Sequence, residues 1–392
     1  MNLKRREGIV KIKNLNNSFN NRYKRQYNIC GIKITVKNKE KILFYKNQKE
    51  KLAEKKYNKR KKQLEELKKY RLNNNYLLTC YVITYNQQEI IEKCLNSLLE
   101  QRTQYKYLIK ILDDASSDGT FDICLKYAQK YPDKIELNTL CHNSGGKMLT
   151  IAYEDINTKY FCRIDGDDYW CDENKIQKSL AFLEKHPDYV TYAHDTALLN
   201  LYTNVSKSNI HDYEQNKNIQ NEISFDNFFY VHVSSRIHRN VLDFKNKYKN
   251  IRKRDRILWY LLLDAGKAYY EDKIMAVYTI GGGFHNKQDI FFKSLSRKLI
   301  CYKVNKLLKY KYDKCFEKQV NDSRLKKLKC ILGIKLGWLL YIFIVKNIEF
   351  YTSYINNLIK KAKMQSYNTN RYTGNFIRED LIDIEKARRE FI

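Results

Sequence analysis

The stretch Tyr160-Phe-Cys-Arg-Ile-Asp165-Gly-Asp167-Asp168-Tyr-Trp170 sets three carboxylates around one glycine at the end of an apolar run. Acids so crowded repel one another unless a cation lies between them. Hard divalent ions such as Mg²⁺ and Mn²⁺ take oxygen ligands and often share them with phosphates, so Asp165 and Asp167 are candidate ligands for such an ion. For an isolated Asp-Gly-Asp the alternative is an acidic turn in which Asp167 caps the next helix. Two more loops carry matching chemistry: Thr84-Tyr85-Asn86-Gln87-Gln88-Glu89 and Asp113-Asp114-Ala-Ser-Ser-Asp118-Gly119-Thr120. Tyr85 can stack on a base, and Asp113 or Asp114 can accept a pyrimidine imide N–H. A metal on Asp165 and Asp167 would then clamp a diphosphate. Neither G-x-x-x-x-G-K-[ST] nor G-x-G-x-x-G occurs, which argues against a P-loop and a dinucleotide site.

These loops need a frame that brings them to one edge. Leu77–Thr84, Tyr107–Leu112, Lys134–Cys141 and Tyr160–Ile164 read as strands. Between them, Glu89–Gln101, Gly119–Lys130 and Gly146–Glu154 read as helices, and Lys175–Lys185 is a further helix ending before Pro187. Such alternation predicts an α/β fold, a mostly parallel Rossmann-like sheet with helices on both faces. The carboxyl ends of parallel strands are where ligands bind, and all three acidic or polar loops lie there. Lys147 opens a helix after a glycine pair, within reach of a ligand, though capping and solvation account for it equally.

The 392-residue chain has 74 Lys/Arg against 44 Asp/Glu, a net charge of +30. Residues 1–75 hold 24 of those cations and only 6 acids, reading as a basic extension with a short strand at Cys30–Val36 and a charged helix at Lys46–Arg71. The apolar positions of that helix keep no heptad register, which argues against a long coiled coil. Residues 76–286 carry the α/β pattern, and 287–392 turn helical and basic again. Cation excess suits an anionic partner, a lipid surface or a nucleic acid. A coding bias toward Lys, Asn, Ile and Tyr accounts for part of it. The 10 cysteines show no C-x-x-C spacing. Cys80, Cys94, Cys124 and Cys162 fall in apolar patterns as buried thiols, which favours a reducing cytoplasm. No apolar signal core follows the basic N-terminus, so secretion is not expected.

With these residues in view, the chain resembles the family 2 glycosyltransferases, which have the GT-A fold. The resemblance rests on Val82-Ile-Thr-Tyr-Asn86, Leu112-Asp-Asp-Ala-Ser-Ser-Asp-Gly-Thr120, Asn143-Ser-Gly-Gly-Lys147 and Asp165-Gly-Asp-Asp-Tyr-Trp170. Leu258-Trp-Tyr-Leu-Leu-Leu-Asp-Ala-Gly-Lys267, Met275-Ala-Val-Tyr278 and Gly281-Gly-Gly283 extend it, so that it covers about 76–286. It implies that Thr84, Tyr85, Asn86 and Glu89 line a nucleoside pocket with Asp113 or Asp114 on the base, and that Asp165 and Asp167 hold the donor diphosphate through Mn²⁺ or Mg²⁺. It also implies that Asp255, at the start of a late helix, is the catalytic base; a helix cap is its plainer reading. His232, Ser234 and Ser235 resemble an acceptor-side strand of unassigned role.

The resemblance implies an inverting glycosyltransferase using a nucleotide-sugar donor. Its acceptor would be a glycan or lipid-linked molecule in bacterial surface polysaccharide synthesis, and no nucleic-acid partner is expected. The rival reading is a basic nucleic-acid- or membrane-binding protein with an inactive core of this kind, but no RNA-recognition or zinc module supports it. A sugar-phosphate nucleotidyltransferase would need a Gly- and Arg-rich loop where Thr84–Gln88 stands. His142, His186 and His194 lack metal-ligand spacing and read as structural, while His285 follows the glycine triplet and could touch phosphate.

Ile331–Val345 is apolar apart from Lys335, yet as a helix its fifteen residues span only about 22 Å, short of a bilayer core. With the N-terminal cations, each contributing about 1 kcal/mol near an anionic leaflet, it predicts a peripheral position on the inner membrane face. Full-length protein should therefore co-float with anionic vesicles at low salt and not with neutral ones. Protein that stays unbound to the anionic vesicles would leave coding bias and a terminal helix folded onto the core as the explanation.

Overall fold

The computed structural model describes residues 10–14, 24–29, 32–37, 39–69, 75–145, 147–200, 205–207, 221–248, 255–280, 300–301 and 304–316. The chain divides into two compact units, residues 1–63 and 64–392. In the first, β1 (Val10–Asn14), β2 (Lys24–Ile29) and β3 (Ile32–Lys37) form an antiparallel sheet in that order, with Ile29 facing Ile32 across the β2–β3 hairpin. The alternation over Cys30–Val36 is thus the second arm of a hairpin. The helix expected from Lys46 begins earlier, as α1 (Lys39–Lys68). No Gly or Pro interrupts those residues, and the Lys, Glu, Gln and Leu that fill them favour helix.

The second unit is built on the expected alternation. In chain order come β4 (Leu78–Thr84), α2 (Ile91–Leu99), β5 (Tyr107–Asp113), α3 (Thr120–Lys130), β6 (Ile135–Thr139), α4 (Met148–Ala152), β7 (Tyr160–Asp165), β8 (Tyr169–Trp170) and α5 (Lys175–Lys185). Strands β7, β4, β5 and β6 lie side by side and parallel. Successive residues of these strands enter opposite layers. Leu78, Cys80 and Val82 of β4 pack with α2, α3 and α5, whereas Tyr81 packs with α4 on the other face. Cys162 and Ile164 follow the first pattern and Phe161 the second. Burial on both faces explains why these strands read as continuous apolar runs.

Beyond β7 the sheet is mixed. It continues through β9 (Tyr189–Asn200), β10 (Val205–Lys207), β11 (Glu222–Ile223), β12 (Ile237–Arg239), α6 (Asp255–Ala265) and β13 (Lys267–Ile280). The order is β11-β13-β9-β12-β7-β4-β5-β6, with β10 on β9 and β8 on β13. Strand β12 runs antiparallel between β7 and β9, while β13 runs parallel to β9 with three register shifts. The strand expected within Val231–Arg236 is instead a 3₁₀ turn at Val233–Ser235. Local side-chain bonds win there: Ser235 Oγ donates to the His232 carbonyl at 2.7 Å, and the Ser234 N–H donates to His232 Nδ1.

Cys301, Val304, Leu308 and Phe316 are buried in the same cluster as α6, so residues after 286 complete this core. The cysteines at 80, 94, 124 and 162 are buried and form no disulfide, as expected. Among the described residues no helix is long and apolar enough to cross a membrane. The runs 281–285 and 331–345, with His285 and the apolar segment, lie outside the described residues.

Gly166 marks where the β4 loop rests on the acidic turn. A methyl group there would stand 2.5 Å from Gln87 Oε1, 2.8 Å from Ile91 Cδ1 and 3.1 Å from Thr84 Cβ. Gln87 can swing, but Thr84 and Ile91 are held in the core. Gly166→Ala should lower the urea-unfolding free energy by about 1–3 kcal/mol, the usual cost of overpacking. An unchanged midpoint would mean that the β4 loop yields freely.

Candidate active site

Two polar loops close over the ends of β4 and β5 and are laced together. The Asn86 N–H donates to Ser116 Oγ (3.0 Å), Asn86 Oδ1 accepts the Ser117 N–H (2.7 Å), and the Gln87 N–H donates to Thr120 Oγ1 (2.7 Å). Asn86 (φ 52°) and Ala115 (φ 62°) both adopt the left-handed conformation, which the lacing holds in place. Asp113 is fully buried, accepting the Ser116 N–H and the Thr139 hydroxyl (2.7 Å). Asp114 Oδ1 accepts the Ser144 N–H (2.7 Å). Tyr85 is 41% exposed, free to offer a ring face, and Glu89 is exposed beside it. Thr84 is buried and donates to Gln87 Oε1 (2.8 Å), and Lys147 is buried with its N–H on Ser144 Oγ.

The three acids after β7 meet different fates. Asp165 receives Nε (2.9 Å) and Nη2 (2.7 Å) of Arg163. Asp167 is buried, and that burial, together with the charge on Asp165, pushes its pKa up to about 6. Asp168 lies deeper still. Burial, then Asp165 and Asp167, hold it well above the ordinary carboxylate range. It accepts the Ser234 hydroxyl and the Thr279 N–H (3.2 Å), tying the acidic turn to the 3₁₀ turn and to β13. Ser234 is anchored in turn, its carbonyl accepting Trp170 Nε1 (3.0 Å) and the buried Lys175 amine.

Opposite this turn, α6 opens at Asp255. One carboxylate oxygen accepts the Arg256 N–H (2.7 Å), and the other accepts the Tyr230 hydroxyl. Burial opposes its ionisation, but Arg163, Tyr230, Arg236 and Arg256 outweigh it and hold the pKa well below the carboxylate range. Arg163 therefore feels both Asp165, which it touches, and Asp255. His232 sits among the same groups, ring-to-ring with Tyr278 at 4.4 Å, and burial lowers its pKa to about 4, so it is neutral. Arg236, 1% exposed, lies over Trp259 (4.9 Å) and Tyr230 (5.3 Å). Such contacts contribute about 1–2 kcal/mol, less than an uncompensated buried charge costs.

The structure thus brings Asp165, Asp167 and Asp255 to one locality and sets the β4 and β5 loops over the neighbouring strand ends. Asp264 is elsewhere, bound to Lys311 Nζ (3.0 Å) and the Tyr312 hydroxyl (2.9 Å). His194 is buried with Nδ1 at 2.6 Å from the Asp195 carbonyl, in a structural setting. Sequence reasoning missed Arg163, Lys175, Tyr230 and Arg236. A lone cation inside the apolar run Tyr160–Ile164 was the available signal for Arg163, and Arg236 ends the Val231–Ser235 segment. Among the described residues no group of three His, Cys, Asp or Glu side chains gathers into a metal cage. Two crowded carboxylates, one of them with a raised pKa, fit an ion that draws its other oxygens from a phosphate and water.

Residues 79–244, from β4 to just beyond β12, match the family model Glycosyl transferase family 2. That segment is a family 2 glycosyltransferase domain. It contains the acidic turn and Arg236, while Asp255 and β13 lie beyond its end. The chain is 35% identical over 109 residues to the putative glycosyltransferase EpsE of Bacillus subtilis, covering 27% of this chain and 37% of EpsE. It is 38% identical over 92 residues to the teichoic acid poly(glycerol phosphate) polymerase of Staphylococcus epidermidis, covering 23% and 13%. It spans about a third of the length of the first curated relatives it matches. S. aureus TarS 1–349 in complex with UDP-GlcNAc superposes with a TM-score of 0.46 at 20% identity, covering 58% of this chain and 66% of that 1–349 chain.

Lys175, at the start of α5, offers a stability test of the layer formed by α2, α3 and α5. Burial lowers its pKa to about 7 from an ordinary 10.5, so the folded state binds the proton more weakly than the unfolded chain. Stability should rise as pH climbs from 7 toward 10.5, by at most about 1.4 kcal/mol per unit from this group, and the full penalty is in place once pH has fallen through 7. Urea unfolding at pH 7, 8 and 9 should show that rise in the wild type and a flatter profile in Lys175→Met. Parallel profiles would show that the amine stays charged.

Proposed function

We propose that this chain is an inverting glycosyltransferase that moves a sugar from a nucleotide diphosphate donor to a glycan or lipid-linked acceptor, in the synthesis of a bacterial surface polymer. The carrying observation is Arg163, which grips Asp165 while adding to the positive field on Asp255. The diphosphate side and the proton-accepting side of one reaction are thereby neighbours. On this reading Tyr85 stacks on the donor base. Asp114 is better placed than Asp113 to receive the base N–H, since Asp113 is fully buried and already accepts from Ser116 and Thr139. Thr84, Asn86, Glu89 and Lys147 complete the nucleoside side. Asp165 and Asp167 would hold Mn²⁺ or Mg²⁺, which supplies positive charge against the departing diphosphate.

Asp255 accepts the proton of the acceptor hydroxyl as that oxygen attacks the anomeric carbon. The bond from that carbon to the diphosphate oxygen breaks in the same displacement, and the nucleoside diphosphate leaves. Tyr230 and the Arg256 N–H fix the carboxylate in place. Its depressed pKa makes it a weak base in the free protein. A diphosphate beside Arg163 cancels part of the cationic field and strengthens it when donor is bound. The names of the relatives, a poly(glycerol phosphate) polymerase among them, support a surface-polymer acceptor.

Asp255→Asn should lower turnover about 10²–10⁴-fold while keeping Mn²⁺-dependent stabilisation by UDP or GDP in a thermal-shift assay. Asp167→Ala should lose both transfer and that stabilisation. Asp264→Asn should change neither. The assignment fails if Asp264→Asn is inactive and Asp255→Asn is not.

A further inference from the structure

Arg236 is enclosed by protein, and among the described residues only one of its groups has a protein partner: Nε donates to the His232 carbonyl at 3.3 Å. Nη1 and Nη2 are buried with no hydrogen-bond partner among the described residues. The rings of Trp259 and Tyr230 flank the guanidinium but accept none of these N–H groups in a proper hydrogen bond. The surrounding charges do not close the gap. Arg163 is taken up by Asp165, Arg256 stacks on Tyr230 at 4.3 Å, and His232 is neutral. Asp255, bound to Tyr230 and to the Arg256 N–H, is one carboxylate among three guanidinium groups. A forked cation held rigid, buried and without a partner is set to receive a planar or tetrahedral anion through paired N–H bonds.

Building on the transferase reading of this site, we infer that the acceptor carries an anionic oxygen, of phosphate or carboxylate type, close to its reacting hydroxyl, and that Arg236 receives it. The donor's diphosphate is the other source of such an oxygen. Two features favour the acceptor. The diphosphate already has the Asp165–Asp167 side, and Arg236 packs on Trp259 of α6 and on Tyr230, the groups that build and hold the proton acceptor. The anion would then anchor the acceptor with its hydroxyl toward Asp255, leaving a neutral acceptor to bind weakly.

The test uses full-length protein with Arg236→Met, which keeps much of the volume and removes the charge, and Arg236→Lys, which keeps the charge and loses the fork. Thermal shift and titration calorimetry are run with inorganic phosphate and with glycerol 1-phosphate, and separately with UDP plus Mn²⁺. Phosphate and glycerol phosphate should stabilise the wild type, bind Arg236→Met at least tenfold more weakly, and bind Arg236→Lys at an intermediate level. The UDP–Mn²⁺ response should stay within twofold in both variants. Unchanged phosphate affinity in either variant overturns the site, which keeps the test decisive even if one of them fails to fold. Parallel loss of the UDP response in the folded variants assigns Arg236 to the donor and overturns the acceptor inference. A wild type deaf to UDP and Mn²⁺ would strike at the transferase reading instead, and Arg236-dependent phosphate binding would still support the anion site.

Discussion

Three carboxylates in four consecutive residues cannot all keep their charge in a half-buried turn without help, and much of the second unit is arranged around that difficulty. Asp165 is neutralised by Arg163 from its own strand. Asp167 remains a reluctant anion, a group that a divalent cation would stabilise. Asp168 is buried deepest and becomes a fastener, joining β7, the 3₁₀ turn and β13 through the Ser234 hydroxyl and the Thr279 N–H. The same sequence motif thus yields a paired acid, a poised acid and a structural acid, separated by burial and by their partners.

The opposite wall carries the complementary problem. The charges of Arg163, Arg236 and Arg256 all act on Asp255, so the candidate base sits in a cationic field that holds its pKa well below the carboxylate range. On the proposed reading, each anion that entered would relieve a cation and return basicity to Asp255.

The first half of the second unit was legible because its strands are buried on both faces and its helices carry an apolar stripe. Leu78–Thr84 and Tyr160–Asp165 announce themselves by composition, and the loops after them are placed by topology. The second half was much less so. Strand β12 has only three residues, and β13 departs from regular register three times, which erases any clean alternation. The Val231–Arg236 segment looks extended in sequence, but local bonds from Ser234 and Ser235 to His232 curl it. Lys175 and Arg236 were invisible for a different reason. A cation in a sequence is read as solvated, and only the meeting of distant segments, 170 with 234 and 230 with 259, reveals that these two are enclosed.

The Asp168 contacts also bear on how freely such enzymes can exchange parts. The acids come from residues 165–168, whereas the hydroxyl and amide that satisfy Asp168 come from residues 234 and 279. A chimera joining residues up to 170 to a foreign continuation would strand the buried Asp168 side chain unless the new part offered donors at both places. Leaving a buried polar group unsatisfied in this way costs about 1–3 kcal/mol, a large share of a domain's stability. Asp168 thus makes residues 165–168, 234 and 279 one seam, whose three parts have to be kept or replaced together.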